Sequence, residues 1–453
     1  MPQNADEAVI TQRLATYARF GVHLGLDRVQ RLLTALGQPQ TQVPIIHVAG
    51  TNGKGSVCAY LASVLREAGY RVGRYTSPHL VSWCERIEIN GQPISAIDLM
   101  QVLIEVEAAI APDEEGPTQF EVVTAAAWLY FAQQSVDIAV IEVGLGGRLD
   151  ATNVVDHPLA AVITSISREH WQRLGPTLAD IAREKAGVLK PHCPSIIGPL
   201  PPEAEAVVLH RAKALGGSIV RPVAARRNAR GEGIYEPPDA SGEASLRYQL
   251  PLPGIHQLTN SAIAIATLHI LRQQGWSISD TAIQSGIAKA QWPGRLQWLT
   301  WQPDGGPGYP WLIDGAHNPA AAQVLRSYID ELQQPDVAPW IGADLQRQGL
   351  VLPCPTTTTW LIGMLSTKDH ADVLNALLQP GDHLHLVPVP DHTTVPPEQL
   401  QVIALQVCPN LATCQAHTSL KSGLLAAIAH QDTLRVLCGS LYLIGHFFKM
   451  EYS

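Results

Sequence analysis

The residues Gly50-Thr51-Asn52-Gly53-Lys54-Gly55-Ser56 carry the plainest chemical signal in the chain. They follow the apolar run Ile45-Ile46-His47-Val48 and lead into a helix-patterned stretch from Val57 to Ala68. Small residues at such a strand-to-helix turn let backbone N–H groups converge on phosphate oxygens, and the helix directs its positive N-terminal end at the same place. Lys54 adds a mobile positive charge, so the pattern points to a nucleoside triphosphate. It departs from the common G-x-x-x-x-G-K-[ST] form. Val48 stands where the first glycine belongs, and Gly55 pushes Ser56 one place late. An ordinary glycine-rich turn beside a solvated lysine is the alternative that the motif alone leaves open.

A second cluster follows the wholly apolar run Ile138-Ala139-Val140-Ile141, which ends in Glu142 and continues Val143-Gly144-Leu145-Gly146-Gly147-Arg148-Leu149-Asp150-Ala151-Thr152-Asn153. A carboxylate at the carboxyl end of a buried strand sits where open α/β sheets bind ligands. Magnesium needs only one or two protein oxygens beside phosphate and water, so Glu142 is a metal candidate; a strand-end glutamate solvated in a loop is the alternative. Ser77, in Thr76-Ser77-Pro78-His79-Leu80, offers a second hard oxygen, and His170, in Thr164-Ser165-Ile166-Ser167-Arg168-Glu169-His170-Trp171 at the end of another apolar strand, an imidazole. By itself Thr76–Leu80 reads as a turn and His170 as a structural or surface histidine. Glu184 and Lys185 read as solvated charges on a helix face. Farther on, Asp314 and His317 lie in Ile313-Asp314-Gly315-Ala316-His317-Asn318-Pro319, at the end of a strand and the start of a helix. Asp314 is placed to accept ribose hydroxyls, and Arg295, in Pro293-Gly294-Arg295, to reach a γ-phosphate.

Positioning these side chains takes a large framework. At 453 residues and 46% hydrophobic content the chain supports two or three domains with buried cores. Short apolar runs alternating with helical patterns predict βα units around a mostly parallel sheet. Strands are expected at 45–49, 71–75, 137–143, 160–166 and 195–198, and helices near 54–68, 97–110, 120–134 and 177–189. The polar, Pro/Gly-rich stretch 220–250 reads as a peripheral hairpin or loop, before a helix from Asn260. A break at Trp292-Pro293-Gly294-Arg295 opens a second series, with strands at 297–301, 311–314, 358–364, 384–387 and 434–438 and helices at 320–332, 369–377 and 420–430. The division expected is therefore 1–294 and 295–453, with 303–310 and 334–355 as loop insertions.

Composition excludes several classes. A net charge of −9 and a pI near 6.0, without any basic run, argue against a nucleic-acid binder or a membrane-surface protein. Seven cysteines without a C-x-x-C pair fit neither a disulfide framework nor a zinc knuckle, and suggest reduced thiols in the cytoplasm. The polar start and the shortness of the apolar stretch Ala125–Ala132 point away from secretion and membrane insertion.

Taken in order, Gly50–Ser56, Thr76–Leu80, Glu142–Asn153, His170, Arg183–Gly187, His256–Asn260, Pro293–Arg295 and Asp314–Pro319 resemble the folylpolyglutamate synthase/dihydrofolate synthase family within the Mur-ligase superfamily. The likeness spans roughly residues 14 to 446 and includes Gly439-Ser440-Leu441-Tyr442-Leu443-Ile444-Gly445. It implies a P-loop-containing Mur-ligase-like ATPase domain followed by a smaller Rossmann-like α/β domain. It implies that Thr51, Asn52, Gly53, Lys54, Gly55 and Ser56 bind ATP, completed by Asn260, Arg295 and Asp314. It also implies that Ser77, Glu142 and His170 hold magnesium, two ions in all, and that Lys185 matches a lysine carbamylated by carbon dioxide. Carbamylation turns an ammonium into an anion, which suits a site beside cations. Phe120, Glu121, Leu149, Asp150 and Ala151 match positions that bind dihydropteroate, and His317 is assigned to the glutamate or the tetrahedral intermediate. Two departures stand out: Glu169-His170 where the family usually has Asp-His, and Lys368-Asp369 after Gly363–Thr367, where many relatives place an aspartate before the lysine.

The resemblance implies an ATP-dependent ligase. ATP phosphorylates the carboxylate of a folate or dihydropteroate, and the α-amine of L-glutamate attacks the acyl phosphate, with domain closure excluding water. A monomer acting on small molecules, without nucleic acid or membrane, is the expected working form. Peptidoglycan Mur ligases share this chemistry, but they carry a UDP-binding domain ahead of the glycine turn, where this chain has too few residues for one. A nucleotide-dependent switch would explain the glycine turn and leave Asp314–Pro319 without a task.

Overall fold

The computed structural model describes residues 2–18, 25–111, 116–238, 243–303, 305–333 and 357–452, so the expected insertion at 334–355 lies outside the described residues. Two compact units emerge. The first contains Met1–Arg226, Gly233–Pro251 and Gln257–Gln291; the second contains Trp292–Ser453 with Arg227–Glu232 and Leu252–His256.

In the first unit the apolar runs become the strands of an eight-stranded sheet: β1 (Ile45–Ala49), β2 (Val72–Tyr75), β3 (Ile87–Ile89), β4 (Gln92–Pro93), β5 (Ile138–Glu142), β6 (Ala160–Ile163), β7 (Ser195–Ile197) and β8 (Ile219–Val220). Their order is β4-β3-β2-β5-β1-β6-β7-β8. β1 lies at the centre, parallel to β5 on one side and β6 on the other. Every residue of β1 and of β5 is buried, as expected where helices cover both faces of a parallel sheet. The register pairs Val48 with Glu142, so the glycine turn and Glu142 leave the sheet at the same edge. Only β3 and β4 run antiparallel to their neighbours, as a short hairpin that the sequence reading did not foresee.

Helices Ala96–Ala108 and Gln119–Gln133 pack a core that includes Leu99, Leu103, Val122 and Trp128 over one part of the sheet. Helices Leu178–Lys185 and Pro202–Ala214 cover another part through Ile181, Ala182, Ala204 and Val208. The helix Pro202–Ala214 was not anticipated. Helix Lys54–Glu67 lies tight against helix Asp280–Ala288, where the Ser63 hydroxyl donates to the Gly286 carbonyl at 2.6 Å. A Cβ on Gly286 would sit 2.4 Å from the Val64 Cα, so this approach needs glycine. Within 220–250 the expected hairpin forms between β10 (Gly233–Tyr235) and β11 (Leu246–Tyr248), preceded by the two-residue β9 (Arg226–Arg227).

The second unit is a six-stranded sheet of β12 (Gln297–Trp301), β13 (Tyr309–Ile313), β14 (Thr357–Ile362), β15 (His383–Leu386), β16 (Thr413–Ala416) and β17 (Thr433–Cys438), in the order β12-β13-β17-β14-β15-β16. All neighbours are parallel except β12 and β13. That pair corrects the reading of 303–310 as an insertion: Tyr309 and Pro310 are strand residues opposite Trp301 and Thr300. Helices Pro319–Leu332, His370–Leu377 and Pro397–Val407 pack Leu325, Ile329, Leu374 and Leu400 into a core with Trp360 and Val436. The fold class is α/β, with one large mostly parallel sheet, a six-stranded sheet in the second unit and the small three-stranded sheet β11-β10-β9.

Candidate active site

The glycine turn begins where β1 ends, and two of its glycines are required by geometry. Gly50 (φ +150°) and Gly53 (φ +84°) hold backbone conformations that side chains disfavour. A Cβ at Gly50 would fall 2.0 Å from the Thr164 hydroxyl, and one at Gly53 would fall 2.5 Å from Asn260 Oδ1. Gly53 caps helix Lys54–Glu67 without any side-chain hydrogen bond. The first N–H groups of that helix therefore lack a side-chain acceptor from the cap, as a phosphate-binding turn requires.

The turn is braced by the loop that follows β6. Thr51 N donates to the Ser165 carbonyl at 2.8 Å, and Asn52 N to Ser165 Oγ at 3.0 Å. The Thr164 and Ser165 hydroxyls both donate to the Asn52 carbonyl, at 2.7 and 2.9 Å. A second brace comes from helix His256–Gln273: Asn260 Nδ2 donates to Gln257 Oε1 at 3.1 Å, and Gln257 Nε2 to Ser56 Oγ at 3.2 Å. Thr164, Ser165 and Gln257 lie in stretches the sequence singles out, but their bracing of the turn leaves no local pattern, because the partners are more than a hundred positions apart.

Lys54, Glu142 and Ser77 converge. Lys54 Nζ donates to the Thr51 carbonyl at 3.1 Å and lies 3.9 Å from Glu142 Oε1. Glu142, 4% exposed, receives Ser77 N at Oε2 at 3.4 Å. His170 stands in a left-handed conformation ahead of the short helix Trp171–Leu174, exposed, with Nε2 4.0 Å from Glu169 Oε1. Ser77 meets Glu142 through its backbone N–H, and His170 meets Glu169; by type, a buried carboxylate, a hydroxyl and an imidazole suit a hard divalent cation beside phosphate. Among the described residues no group of three or more His, Cys, Asp or Glu is gathered to hold a metal ion.

Lys185 corrects the reading of a solvated helix charge. It is buried, and its Nζ donates to the Gly50 carbonyl at 2.7 Å, directly beneath the glycine turn. Burial lowers its pKa to about 7; the charge of Lys54 pushes in the same direction, while Glu169 and Asp150 oppose it. Its neighbour Glu184 is half-buried and pairs with the exposed Arg148 at 2.9 Å.

The residues expected to meet an acceptor also have structural tasks. Thr118 and Glu121 form a capping box at the start of helix Gln119–Gln133, and Glu121 pairs with Arg28 at 3.2 Å. The Phe120 ring packs on Gly144, where a Cβ would meet it at 2.4 Å. Asp150 is buried and accepts from Leu145 N at 2.7 Å, from Thr152 N at 3.0 Å and from the Thr152 hydroxyl at 2.6 Å. Burial raises its pKa against the pull of those donors. Leu149 is half-buried and Ala151 buried beside it.

In the second unit Arg295, Asp314 and His317 share the ends of β12 and β13. Asp314 is buried and accepts from Leu296 N and Ala316 N, each at 2.8 Å, with its pKa raised by burial. Arg295 lies against Gly315, where a Cβ would meet Nη1 at 2.0 Å. His317 Nδ1 is 2.7 Å from the Gly315 carbonyl, and Asn318 caps helix Pro319–Leu332 by accepting from Ala321 N at 2.9 Å.

A central strand, a braced glycine turn and a strand-end carboxylate beside the turn's lysine define a nucleotide-dependent α/β enzyme. Comparison with known proteins sharpens that class. The family model of the Mur ligase middle domain matches residues 48–268, and that of the dihydrofolate synthetase C-terminal domain matches residues 297–450. The dihydrofolate synthase/folylpolyglutamate synthase of Bacillus subtilis is 40% identical over 321 residues, 68% of this chain and 72% of that protein. The structure of Mycobacterium tuberculosis folylpolyglutamate synthase complexed with ADP and AMPPCP superposes with a TM-score of 0.81 at 29% identity, covering 99% of this chain and 98% of the other. The bifunctional folylpolyglutamate synthase/dihydrofolate synthase of Yersinia pestis, complexed with AMPPNP and a manganese ion, gives 0.78 at 29% identity over 98% of each chain. The chain belongs to the folylpolyglutamate synthase/dihydrofolate synthase family of the Mur-ligase superfamily, and its class of activity is that of an ATP-dependent ligase.

Proposed function

We propose that the chain joins L-glutamate to the carboxylate of a folate or dihydropteroate through an acyl phosphate, using ATP. The observation that carries this reading is the convergence of Lys54, Glu142 and Ser77 at the braced glycine turn, in a chain of this family. A carboxylate is a poor acyl donor. One of its oxygens bonds to the γ-phosphorus as the bond to the β-γ bridging oxygen breaks and ADP leaves. The α-amine of glutamate then attacks the acyl carbon; a C–N bond forms, the C–O bond to phosphate breaks, and the amine loses a proton.

The protein's part is to position the reactants and neutralise charge. Backbone N–H groups of Thr51–Ser56 cradle the phosphates and Lys54 follows the transferring group. Asn260, Arg295 and Asp314 are assigned to the same nucleotide, and His317 to the glutamate or the tetrahedral intermediate. Ser77, Glu142 and His170 would hold magnesium, which when bound neutralises phosphate charge. Glu142→Gln and His170→Ala should therefore each raise the magnesium concentration for half-maximal activity by about tenfold or more. A magnesium titration unchanged in both variants would refute the assignment.

Carbamylation of Lys185 belongs to the same proposal. The neutral amine attacks the carbon of carbon dioxide, a C=O electron pair moves to oxygen, and the nitrogen releases a proton, leaving a carbamate anion. With the pKa at about 7, the neutral amine is roughly a thousandfold or more abundant at pH 7 than for an ordinary lysine. Carbamate content and activity should rise as pH increases through 7. A monomer working in the cytoplasm belongs to the same proposal. The six described cysteines are free thiols, and among the described residues no helix is long and apolar enough to cross a membrane.

The purified chain, incubated with ATP, magnesium, L-glutamate and either dihydropteroate or tetrahydrofolate, should give glutamylated product and ADP in equal amounts. No product from either acceptor would overturn the proposal.

A further inference from the structure

His47 lies on the strand that feeds the glycine turn, and its side chain has no place in the chemistry above. It is 1% exposed, and its Nε2 lies 2.9 Å from the Thr152 hydroxyl. That hydroxyl donates its single proton to Asp150 Oδ1 at 2.6 Å. With the proton committed, the Thr152 oxygen can only accept from the imidazole, so His47 carries its proton on Nε2. The imidazole is neutral, because burial lowers its pKa to about 3 and the charge of Lys190 pushes the same way.

The hydrogen bonds therefore run in one direction, from His47 to Thr152 to Asp150. Asp150 holds the loop from its other side, where Oδ2 accepts from Leu145 N at 2.7 Å, and Thr152 N adds a second donor to Oδ1 at 3.0 Å. The loop from Leu145 to Thr152 is thus closed around one buried carboxylate. The imidazole ties that loop to β1. Leu149, Asp150 and Ala151 occupy that loop.

We propose that His47 is a positioning residue for acceptor binding: through Thr152 it fixes Asp150, and with it the loop bearing Leu149 and Ala151, against the strand that begins the nucleotide turn. The donor into the Thr152 oxygen lone pair sets the direction of the hydroxyl proton, and the aligned hydroxyl keeps the buried carboxylate satisfied. Without that donor the hydroxyl loses its alignment and the loop this tie to β1, while the bonds that brace Thr51 and Asn52 come from Thr164 and Ser165 and remain. The effect should fall on the acceptor rather than on ATP. This inference rests on the reading of Leu149–Ala151 as acceptor contacts.

The test compares His47→Leu, His47→Gln, Thr152→Val and Asp150→Asn, with melting temperature measured for each and KM determined separately for acceptor and ATP. His47→Leu and Thr152→Val should each raise the acceptor KM by about tenfold with the KM for ATP within about twofold. His47→Gln, which keeps an N–H donor at a similar reach, should recover most of the loss. The double variant His47→Leu/Thr152→Val should be no worse than either single one, since both cut the same chain of bonds. If Asp150→Asn raises the acceptor KM but folded His47→Leu and Thr152→Val do not, the inference is wrong and the acceptor reading stands. If active Asp150→Asn, His47→Leu and Thr152→Val all keep the acceptor KM of the parent, the acceptor reading of this loop falls, and the inference with it.

Discussion

Replacing Lys54 with alanine is expected to lower kcat/KM by a factor of about a hundred to a thousand while leaving the fold intact. The ammonium is anchored by the Thr51 carbonyl at 3.1 Å and faces Glu142 at 3.9 Å, at the first residue of the helix that follows the turn. A positive charge held there acts on the transferring phosphoryl group when its charge shifts in the transition state. Deleting one such preorganised electrostatic donor costs about 3–4 kcal/mol. The turn should survive the change, because its backbone is held by Ser165 and Thr164 rather than by the lysine. Steady-state kinetics and a thermal melt check both halves. Near-parental turnover in a folded Lys54→Ala variant would remove the nucleotide assignment of the glycine turn.

Lys185→Ala is expected to be severely impaired and to regain part of its activity when a short carboxylic acid is added. An ordinary helix-surface lysine would tolerate alanine within about half a kcal/mol. Lys185 is not in that position: it is buried, it bonds the Gly50 carbonyl, and its ammonium form is disfavoured by burial and by Lys54. Loss of the buried bond alone would also weaken the protein, by about 1–3 kcal/mol. Chemical rescue separates the two causes, since an added carboxylate replaces an anion and does not repair a lost amine donor. Activity of the parent protein should also fall when bicarbonate and carbon dioxide are removed. Free lysine found by intact-mass measurement in fully active protein, together with full activity of Lys185→Ala, would contradict carbamylation.

The glycine turn, its strand and helix, and the strand-end carboxylate were legible in the sequence because each is local. A buried parallel strand reads as an unbroken apolar run, and a phosphate turn as clustered small residues before a helix. The organisation into two α/β sheets of eight and six strands followed from the same alternation. The braces were not legible: Thr164, Ser165 and Gln257 act on residues far away in the chain. Lys185 did leave a signal. It stands four residues after Ile181 and three after Ala182, both buried, so it belongs to the inward stripe of its helix. Thr118-Gln119-Phe120-Glu121 likewise has the S/T-x-x-E spacing of a capping box, which gives Glu121 a structural task beside any contact with substrate. The hairpin β12–β13 was hidden because glycine and proline around 303–310 resemble an insertion as much as a turn.

The central claim is that ATP activates the acceptor carboxylate as an acyl phosphate before glutamate attacks. The most direct measurement uses an acceptor whose carboxylate carries heavy oxygen, with ATP, magnesium and L-glutamate, and follows the isotope by mass spectrometry of the released inorganic phosphate. One labelled oxygen should appear in the phosphate for each amide formed, because the carboxylate oxygen that bonds phosphorus leaves with it. Phosphate that remains unlabelled while glutamylated product accumulates would contradict the account.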